Sequence, residues 1–486
     1  EYWGMDTETV QDKLVEKKQG LLAIGPAGEN LVRFANIVSG HRFLGRAGLG
    51  AVMGSKKIKY IKSVGGEYKI RPVDQKLFDR ANKTAKKYIK SNKMTADIYR
   101  NYGTAANVNF TTKHNMMPIN NFKDGWHEKS LGLSGQAMAE KHQTKAHTCK
   151  PCTILCGHKG QFEKKNGLPV PEFETVGCLG SNLGIFDSDL IAEWNQICGT
   201  MGMDTISAGG VLGWVMEATE KGLIKSDVTF GDSQAITKAL NDIANAEEFG
   251  KEMGLGVKAL AEKYGGAEFA IHVKGLEMSA YDPRGAWGQG LGYAVANRGA
   301  CHLSSYPVAL EALFELINPH KTRSKAEFTK FLENLYCCIN SLHTCQFTAF
   351  AYIFESPLTK YTPDFMLGML MQNLSFVAIA LIDFSTYKNF WQSTTGIKIS
   401  RGEFLTAGER IHVLERYMNT REGISRKDDT LPARMLKEGR ESDKKQLTVP
   451  LEGMLDRYYK LRGFDNDGIP EAALLNKLQI EAQPQQ

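Results

Sequence analysis

Residues 146–160 read AHTCKPCTILCGHKG, three cysteines on one short turn of chain with a histidine on either side. Thiolates suit soft or borderline metals, chiefly zinc and iron–sulfur clusters. A structural zinc site normally pairs C-x-x-C with a second ligand pair further on. That second pair is lacking here unless His147 or His158 serves. The spacing C-x-x-C-x-x-x-C instead asks for one distant fourth thiolate, the usual arrangement of a [4Fe–4S] cube. Radical enzymes that cleave S-adenosylmethionine place the long gap first, so the order argues against that class. Read alone, the loop leaves zinc and iron–sulfur both open.

The other cysteines narrow the setting. Of nine, Cys149, Cys152 and Cys156 form one group and Cys337, Cys338 and Cys345 another. A secreted disulfide framework is distributed along the chain; clustered thiols point to a metal or redox centre. The 486 residues exceed one ordinary core, so two or three domains are expected. No uninterrupted apolar run reaches the ~20 residues that span a bilayer. The nearest, FMLGMLMQNLSFVAIALIDF at 365–384, carries Gln372, Asn373 and Ser375 and reads as a buried core helix. The chain opens with Glu1 and shows no basic-then-apolar signal segment, so a cytoplasmic setting is expected. A net charge of +6 without a dense Lys/Arg block gives no sign of nucleic-acid binding and suits an acidic protein partner.

Along the chain, 20–63 reads as short β elements around glycine turns. From about 72 the texture changes to amphipathic helices, in KLFDRANKTAKKYIKS, DLIAEWNQICGTMG and ALNDIANAEEFGKEMGLGVKALAEKYG. The stretch 305–420 is again mostly helical, and 421–449 reads as an exposed charged segment. The expected fold is α+β: a β-rich N-terminal remnant over 1–71, then mostly helical domains over 72–278 and 279–486. So little β structure cannot bury both faces of a sheet, which implies a covering partner or a domain whose beginning is absent.

Seven stretches then fall in one order: AIGPAGEN, GRAGLGAVMGSKKIK, the cysteine loop, PEFETVGCLGSNLGIFD, GTMGMDTISAGG, KGLEMSAYDPRGAWGQGLGYAVANRGACHL and CCINSLHTCQF. Together they resemble the tungsten-containing aldehyde:ferredoxin oxidoreductase family, whose relatives include benzoyl-CoA reductase catalytic subunits. The resemblance runs from about residue 20 to beyond 350. It implies one tungsten, or molybdenum, between two pterin dithiolenes, a Mg2+ bridging the pterin phosphates, and a [4Fe–4S] cluster. The 1–71 segment would then be the end of the family's pterin-binding domain.

By that resemblance Cys149, Cys152, Cys156 and Cys345 hold the cluster. Asn340 stands where the family usually has a pterin-gripping aspartate, and an amide can still donate and accept at a ring edge. Gly202 and Asp204 match a second pterin contact, where a carboxylate meets adjacent N–H donors; Asp204 also reads as the N-cap of the segment after it. Arg46, Ala47 and Gly48 are placed at the pterin phosphate and magnesium, since consecutive N–H groups in a glycine loop form an anion nest. Glu174 and Glu193 match carboxylates near the metal, and Glu172 is expected to face solvent. His302 matches the family's active-site histidine, and Tyr281 is a candidate donor to a substrate carbonyl. Cys178 reads either as a tungsten ligand or as a small core residue. His114 is a weaker candidate for the substrate cavity.

The implied activity oxidises aldehydes to carboxylic acids, with Glu174 as base and His302 and Tyr281 polarising the carbonyl. Electrons would pass through the cluster to ferredoxin or an electron-transfer subunit, and the resemblance allows a homodimer or a hetero-oligomer. The alternatives are a low-potential reductase of aromatic or enoyl thioesters, which Cys178 and the altered NSLHTC favour, and a zinc-stabilised binding protein without catalysis.

Overall fold

The computed structural model describes residues 1–66, 69–149, 151–163 and 165–481. At the N-terminus the helix Thr7–Leu14, capped by Asp6 through a 2.9 Å bond from the Thr9 amide, packs on a four-stranded antiparallel sheet. The strands are β1 (Gln19–Ala23), β2 (Ile37–Ser39), β3 (Arg42–Leu44) and β4 (Tyr60–Val64), in the order β3-β2-β1-β4. Alternation in LLA buries Leu21 and Ala23, whereas β3 and β4 leave Phe43, Ile61 and Val64 exposed. The register puts Phe43 and Val64 on the face of Leu21 and Ala23 and Ile61 on the other, so neither face of this small sheet is fully covered.

The helical body follows. The helix Gln75–Ser91 buries Ala81, Ala85 and Ile89 at the spacing of one helical face. At the centre lies Thr205–Glu220, whose residues Ile206 to Ala218 are all buried. Its glycines let other backbone come close: a Cβ on Gly209 would lie 2.3 Å from the Cys178 carbonyl oxygen. That approach seats the π-helical turn Val176–Gly180 against the central helix and so places Glu174, just before it. One continuous core cluster includes residues from Ala27 to Ile480.

A second sheet serves the cysteine loop. Strands β5 (Lys145–Ala146), β6 (His158–Gln161) and β7 (Asn166–Pro169) pair antiparallel, and the loop leaves β5 and returns into β6. Its base is closed by the His147 amide on Gly157 O at 2.8 Å. A last hairpin, β8 (His272–Val273) and β9 (Leu276–Glu277), leads into the stretch carrying Tyr281.

Three sequence expectations change. The 239–265 stretch is not one helix: Ala246 and Gly256, both at positive φ, separate Ser233–Asn245, Gly250–Met253 and Val257–Tyr264. The 365–384 stretch is not a buried core helix either. It breaks at Leu374 into Asp364–Asn373 and Ser375–Leu381, with Phe365 and Phe376 exposed. Gln372 there is drawn sideways to the Asn318 amide and the Arg323 carbonyl, so its polarity binds a neighbouring loop. Finally, 421–449 is a strap rather than an exposed run. Asp429, Arg434 and Arg440 are buried, and they pair with Lys274 at 2.7 Å, Glu217 at 2.7 Å and Asp282 at 3.7 Å. Charges that look solvated in sequence are satisfied by partners far along the chain. Among the described residues no helix is long and apolar enough to cross a membrane.

Candidate active site

A cavity of about 810 Å³ lies between the β-rich segment and the helical body. Arg46, Glu174, Asp204, Tyr281 and His302 line it together with Cys149 and Cys156. Residues scattered over more than 250 positions thus share one enclosure, of a size suited to a large organic ligand.

Glu174 is fixed by one oxygen and free at the other. Its Oε2 accepts the Ala280 amide at 2.7 Å, while buried Oε1 has no hydrogen-bond partner. His302 Nδ1 lies 3.3 Å from Oε1, outside hydrogen-bonding geometry, and 2.9 Å from Ser279 Oγ. Glu174 and His302 keep 15% and 13% of their side-chain surface. That remnant opens on the cavity, so desolvation still governs both. Burial pushes the Glu174 carboxyl up to about 8, with the Ala280 amide and Arg46 opposing the shift and Asp204 and Glu172 adding to it. Burial and the cations Arg46 and Arg298 lower His302 to about 3. Near neutral pH the pair is a largely protonated carboxyl beside a neutral imidazole.

Tyr281 belongs to a buried chain of hydroxyls. Its oxygen accepts from Asn107 Nδ2 at 3.1 Å and from the Tyr306 hydroxyl at 2.8 Å, which leaves its own hydrogen free to be donated. Burial holds its phenol far above the ordinary range, so it stays a donor.

The glycine loop is held from beneath. Ala47 and Gly48 both have left-handed backbone, with φ of 74° and 73°, and a Cβ on Gly48 would meet the Arg33 carbonyl at 2.2 Å. Arg46 points inward. Its Nε pairs with Asp204 at 3.0 Å, and its Nη1 donates to Ala300 O at 3.0 Å and to Ser279 Oγ at 3.3 Å. Burial works against the guanidinium charge, but Asp204 outweighs it and the group stays protonated. Asp204 is also the N-cap of the central helix, accepting from the Ile206 and Ser207 amides at 3.2 and 3.3 Å. The capping role read from sequence is therefore met, and Arg46 is an additional partner. Gly202, at φ +81°, ends the helix Ser188–Met201.

At the other end of the cavity the four cysteines share one neighbourhood. Burial lifts the Cys156 thiol to about 12, with Glu172 and Cys345 adding to it. Burial also raises Cys345, with Cys152 and Cys149 beside it. At Cys152 burial favours the thiol, yet hydrogen bonds from the Leu155 and Ile154 amides and from Thr148 outweigh it and lower the pKa. Among the described residues no three His, Cys, Asp or Glu side chains are grouped to hold a single ion. The mutual electrostatic influence of Cys152, Cys156 and Cys345 places these thiols near one another. A second feature suits a bound cofactor: buried Asn36 lines the cavity, and its Oδ1, like Glu174 Oε1, has no partner. An unpaired buried acceptor is costly in an empty protein and calls for a donor.

Of the other predicted residues, Cys178, Glu193, Asn340 and His114 lie outside the cavity lining, whereas Glu172 and His158 form part of it. Cys178 is buried against Gly209 and does not line it; burial raises its thiol well above the ordinary range, a packing environment. Glu193 is half-buried on the helix Ser188–Met201, outside the lining. Exposed Asn340 accepts from Gln346 Nε2 at 3.0 Å, and Gln346 does line the cavity. His114 pairs with Glu315 at 3.0 Å on the outer side. Glu172 is exposed as expected and meets Arg42 at 3.3 Å. His158, a possible ligand in sequence, is buried with Nε2 on the Arg100 carbonyl at 2.9 Å, because β6 packs it inward. Sequence reasoning missed Asn36, Arg42, Asn107 and Tyr306, which lie outside every quoted motif, and Arg298, which lies inside one, four residues before His302. It also missed Ser279, which sits inside a quoted motif two residues before Tyr281.

The chain is similar to known proteins along nearly its whole length. Residues 1–65 match the family description "Aldehyde ferredoxin oxidoreductase, N-terminal domain", and 80–480 match "Aldehyde ferredoxin oxidoreductase, domains 2 & 3". The tungsten-containing aldehyde ferredoxin oxidoreductase of Pyrococcus furiosus is 36% identical over 97% of this chain and 76% of its own. The "aliphatic sulfonate oxidoreductase, WOR-like subunit" of the same organism is 25% identical over 96% of this chain and 71% of its own. In structure the chain resembles the active-site complex BamBC of benzoyl coenzyme A reductase, with a TM-score of 0.74 and 20% identity over 98% of this chain and 76% of that one.

Proposed function

The chain belongs to the aldehyde ferredoxin oxidoreductase family, and from that premise we propose that it oxidises aldehydes to carboxylic acids and delivers the electrons through a [4Fe–4S] cluster to ferredoxin or an electron-transfer subunit. The observation that carries this reading is the single cavity holding Glu174, His302 and Tyr281 together with two of the four clustered cysteines. A tungsten or molybdenum ion in two pterin dithiolenes would supply the two-electron chemistry. Arg46, Ala47 and Gly48 would face the pterin phosphates and their magnesium, and Asn36 Oδ1 would accept from the pterin edge. Cys149, Cys152, Cys156 and Cys345 would hold the cluster.

The chain's own groups then divide the remaining work. The Tyr281 hydroxyl and His302 donate to the carbonyl oxygen and orient the aldehyde. Oxidation of the aldehyde with one water to the acid releases two electrons and two protons; Glu174 Oε1, which has no partner, would take one proton, and the other would leave to solvent. The small excess of positive charge suits an acidic electron carrier.

Elemental analysis of anaerobically purified protein, combined with an aldehyde panel read by viologen reduction, tests the reading. Tungsten or molybdenum with about four irons per chain and aldehyde turnover are expected. Zinc without those metals would make it a zinc-stabilised binding protein, and thioester turnover without aldehyde turnover would make it a reductase.

A further inference from the structure

Building on the reading of Glu174, His302 and Tyr281 as the reacting end of the cavity, we propose that Ser279 is a positioning residue. It fixes His302 as the Nε2–H tautomer, so that the ring offers the substrate oxygen a donor and not a base. Ser279 Oγ is buried and touches three groups. Arg46 Nη1 at 3.3 Å can only donate, so the oxygen accepts there. The hydroxyl hydrogen then has two possible acceptors. The Ala300 carbonyl lies 3.5 Å away, at the outer limit of a hydrogen bond, and already takes Arg46 Nη1 at 3.0 Å. His302 Nδ1 lies at 2.9 Å. The hydrogen goes to Nδ1, which must be bare to accept it, and the ring's own hydrogen sits on Nε2.

The surroundings agree with a neutral ring. The ionisable groups facing it are Glu174, Arg46, Arg298, Tyr281 and Tyr306. Two are cations, which disfavour an imidazolium, and both phenols stay protonated. Glu174 Oε1, near Nδ1 but outside hydrogen-bonding geometry, does not compete for a hydrogen there. One guanidinium therefore braces the glycine loop, pairs with the central helix cap and orients the hydroxyl that sets the histidine. The loop and the imidazole are coupled through the Ser279 oxygen.

The test is deuterium exchange at the imidazole Cε1, read by mass spectrometry on the holoenzyme, which gives a titration midpoint for each histidine. A hydroxyl donating to Nδ1 stabilises the neutral ring, so S279A should raise the His302 midpoint by about one pH unit, and S279T should leave it in place. Were Ser279 instead accepting from an Nδ1–H, its removal would lower the midpoint; a fall or no change overturns the proposal. In the assay kcat of S279A should drop roughly tenfold with KM and metal content little changed, and S279T should restore it. Should S279A not fold, 15N shifts of labelled histidine in the unmodified holoenzyme decide, since an Nδ1 that carries hydrogen refutes the assignment. An exchange shift as expected in a protein that turns over no aldehyde would keep the tautomer and remove the aldehyde reading.

Discussion

Replacing Glu174 with glutamine tests the proton transfer. Burial holds this carboxyl up to about 8, so about a tenth of molecules carry the bare carboxylate at pH 7 and about half at pH 8. If the carboxylate accepts the proton, kcat/KM for aldehyde oxidation should climb about tenfold per pH unit below that midpoint and level off above it. Glutamine preserves the size and the 2.7 Å bond from the Ala280 amide but has no useful proton affinity. E174Q should lose roughly 10²- to 10⁴-fold in kcat/KM, about 2.7–5.5 kcal/mol of barrier, and its pH limb should vanish while tungsten and iron contents stay at wild-type levels. The assay is viologen reduction between pH 6 and 9 under anaerobic conditions. A wild-type profile flat from pH 6 to 8, or an E174Q enzyme with more than about a tenth of the activity and the limb intact, would refute the assignment.

C345S should lose the cluster's visible absorption and drop below about four irons per chain; an unchanged spectrum contradicts the ligand set. R434A strands buried Glu217, and breaking such a pair costs about 3–5 kcal/mol. A loss under about 1 kcal/mol in denaturant unfolding would mean the 421–449 strap is not anchored there. Burial tends to raise the Glu217 pKa, but Arg434 outweighs it and holds it below the ordinary carboxylate value. The pair's stabilisation is therefore full above about pH 4.3 and fades as pH falls through the depressed folded value; R434A should flatten that acid loss. G48A puts a Cβ 2.2 Å from the Arg33 carbonyl at φ +73°, so tungsten loading should fall and the N-terminal sheet should loosen; normal loading would separate the loop from cofactor binding.

Much of the local structure was legible. The amphipathic runs at 76–91 and 189–202 appear as the helices Gln75–Ser91 and Ser188–Met201, because one apolar face per 3.6 residues needs no distant information. The cap at Asp204 was readable for the same reason, since its acceptors serve amides two and three residues on. The errors arose where distant partners decide. Arg434 looks solvated until Glu217, 217 positions earlier, is placed beside it. His158 carries no local sign of burial until β6 packs it inward, and the choice between ligand and core residue at Cys178 waits on the Gly209 approach that buries it. The run at 365–384 is apolar enough for a core helix, but Gln372 has partners 49 and 54 residues away.

The candidate site divides along the same line. Composition and spacing determined which atoms the protein brings: three thiols on one loop and a fourth after residue 340, a glycine turn able to adopt left-handed backbone, and a carboxylate, a tyrosine and a histidine in separate motifs. These properties follow from bond geometry and side-chain chemistry within a few residues. Tertiary structure alone decided that Glu174, Tyr281, His302 and two of the cysteines meet in one cavity, that Glu174 binds protons near pH 8 while His302 stays neutral, and that Ser279 stands between Arg46 and the histidine. Proton affinity and tautomer depend on which dipoles, charges and how much water surround an atom in space. Those surroundings are assembled from segments far apart along the chain, so they exist only once the chain has folded.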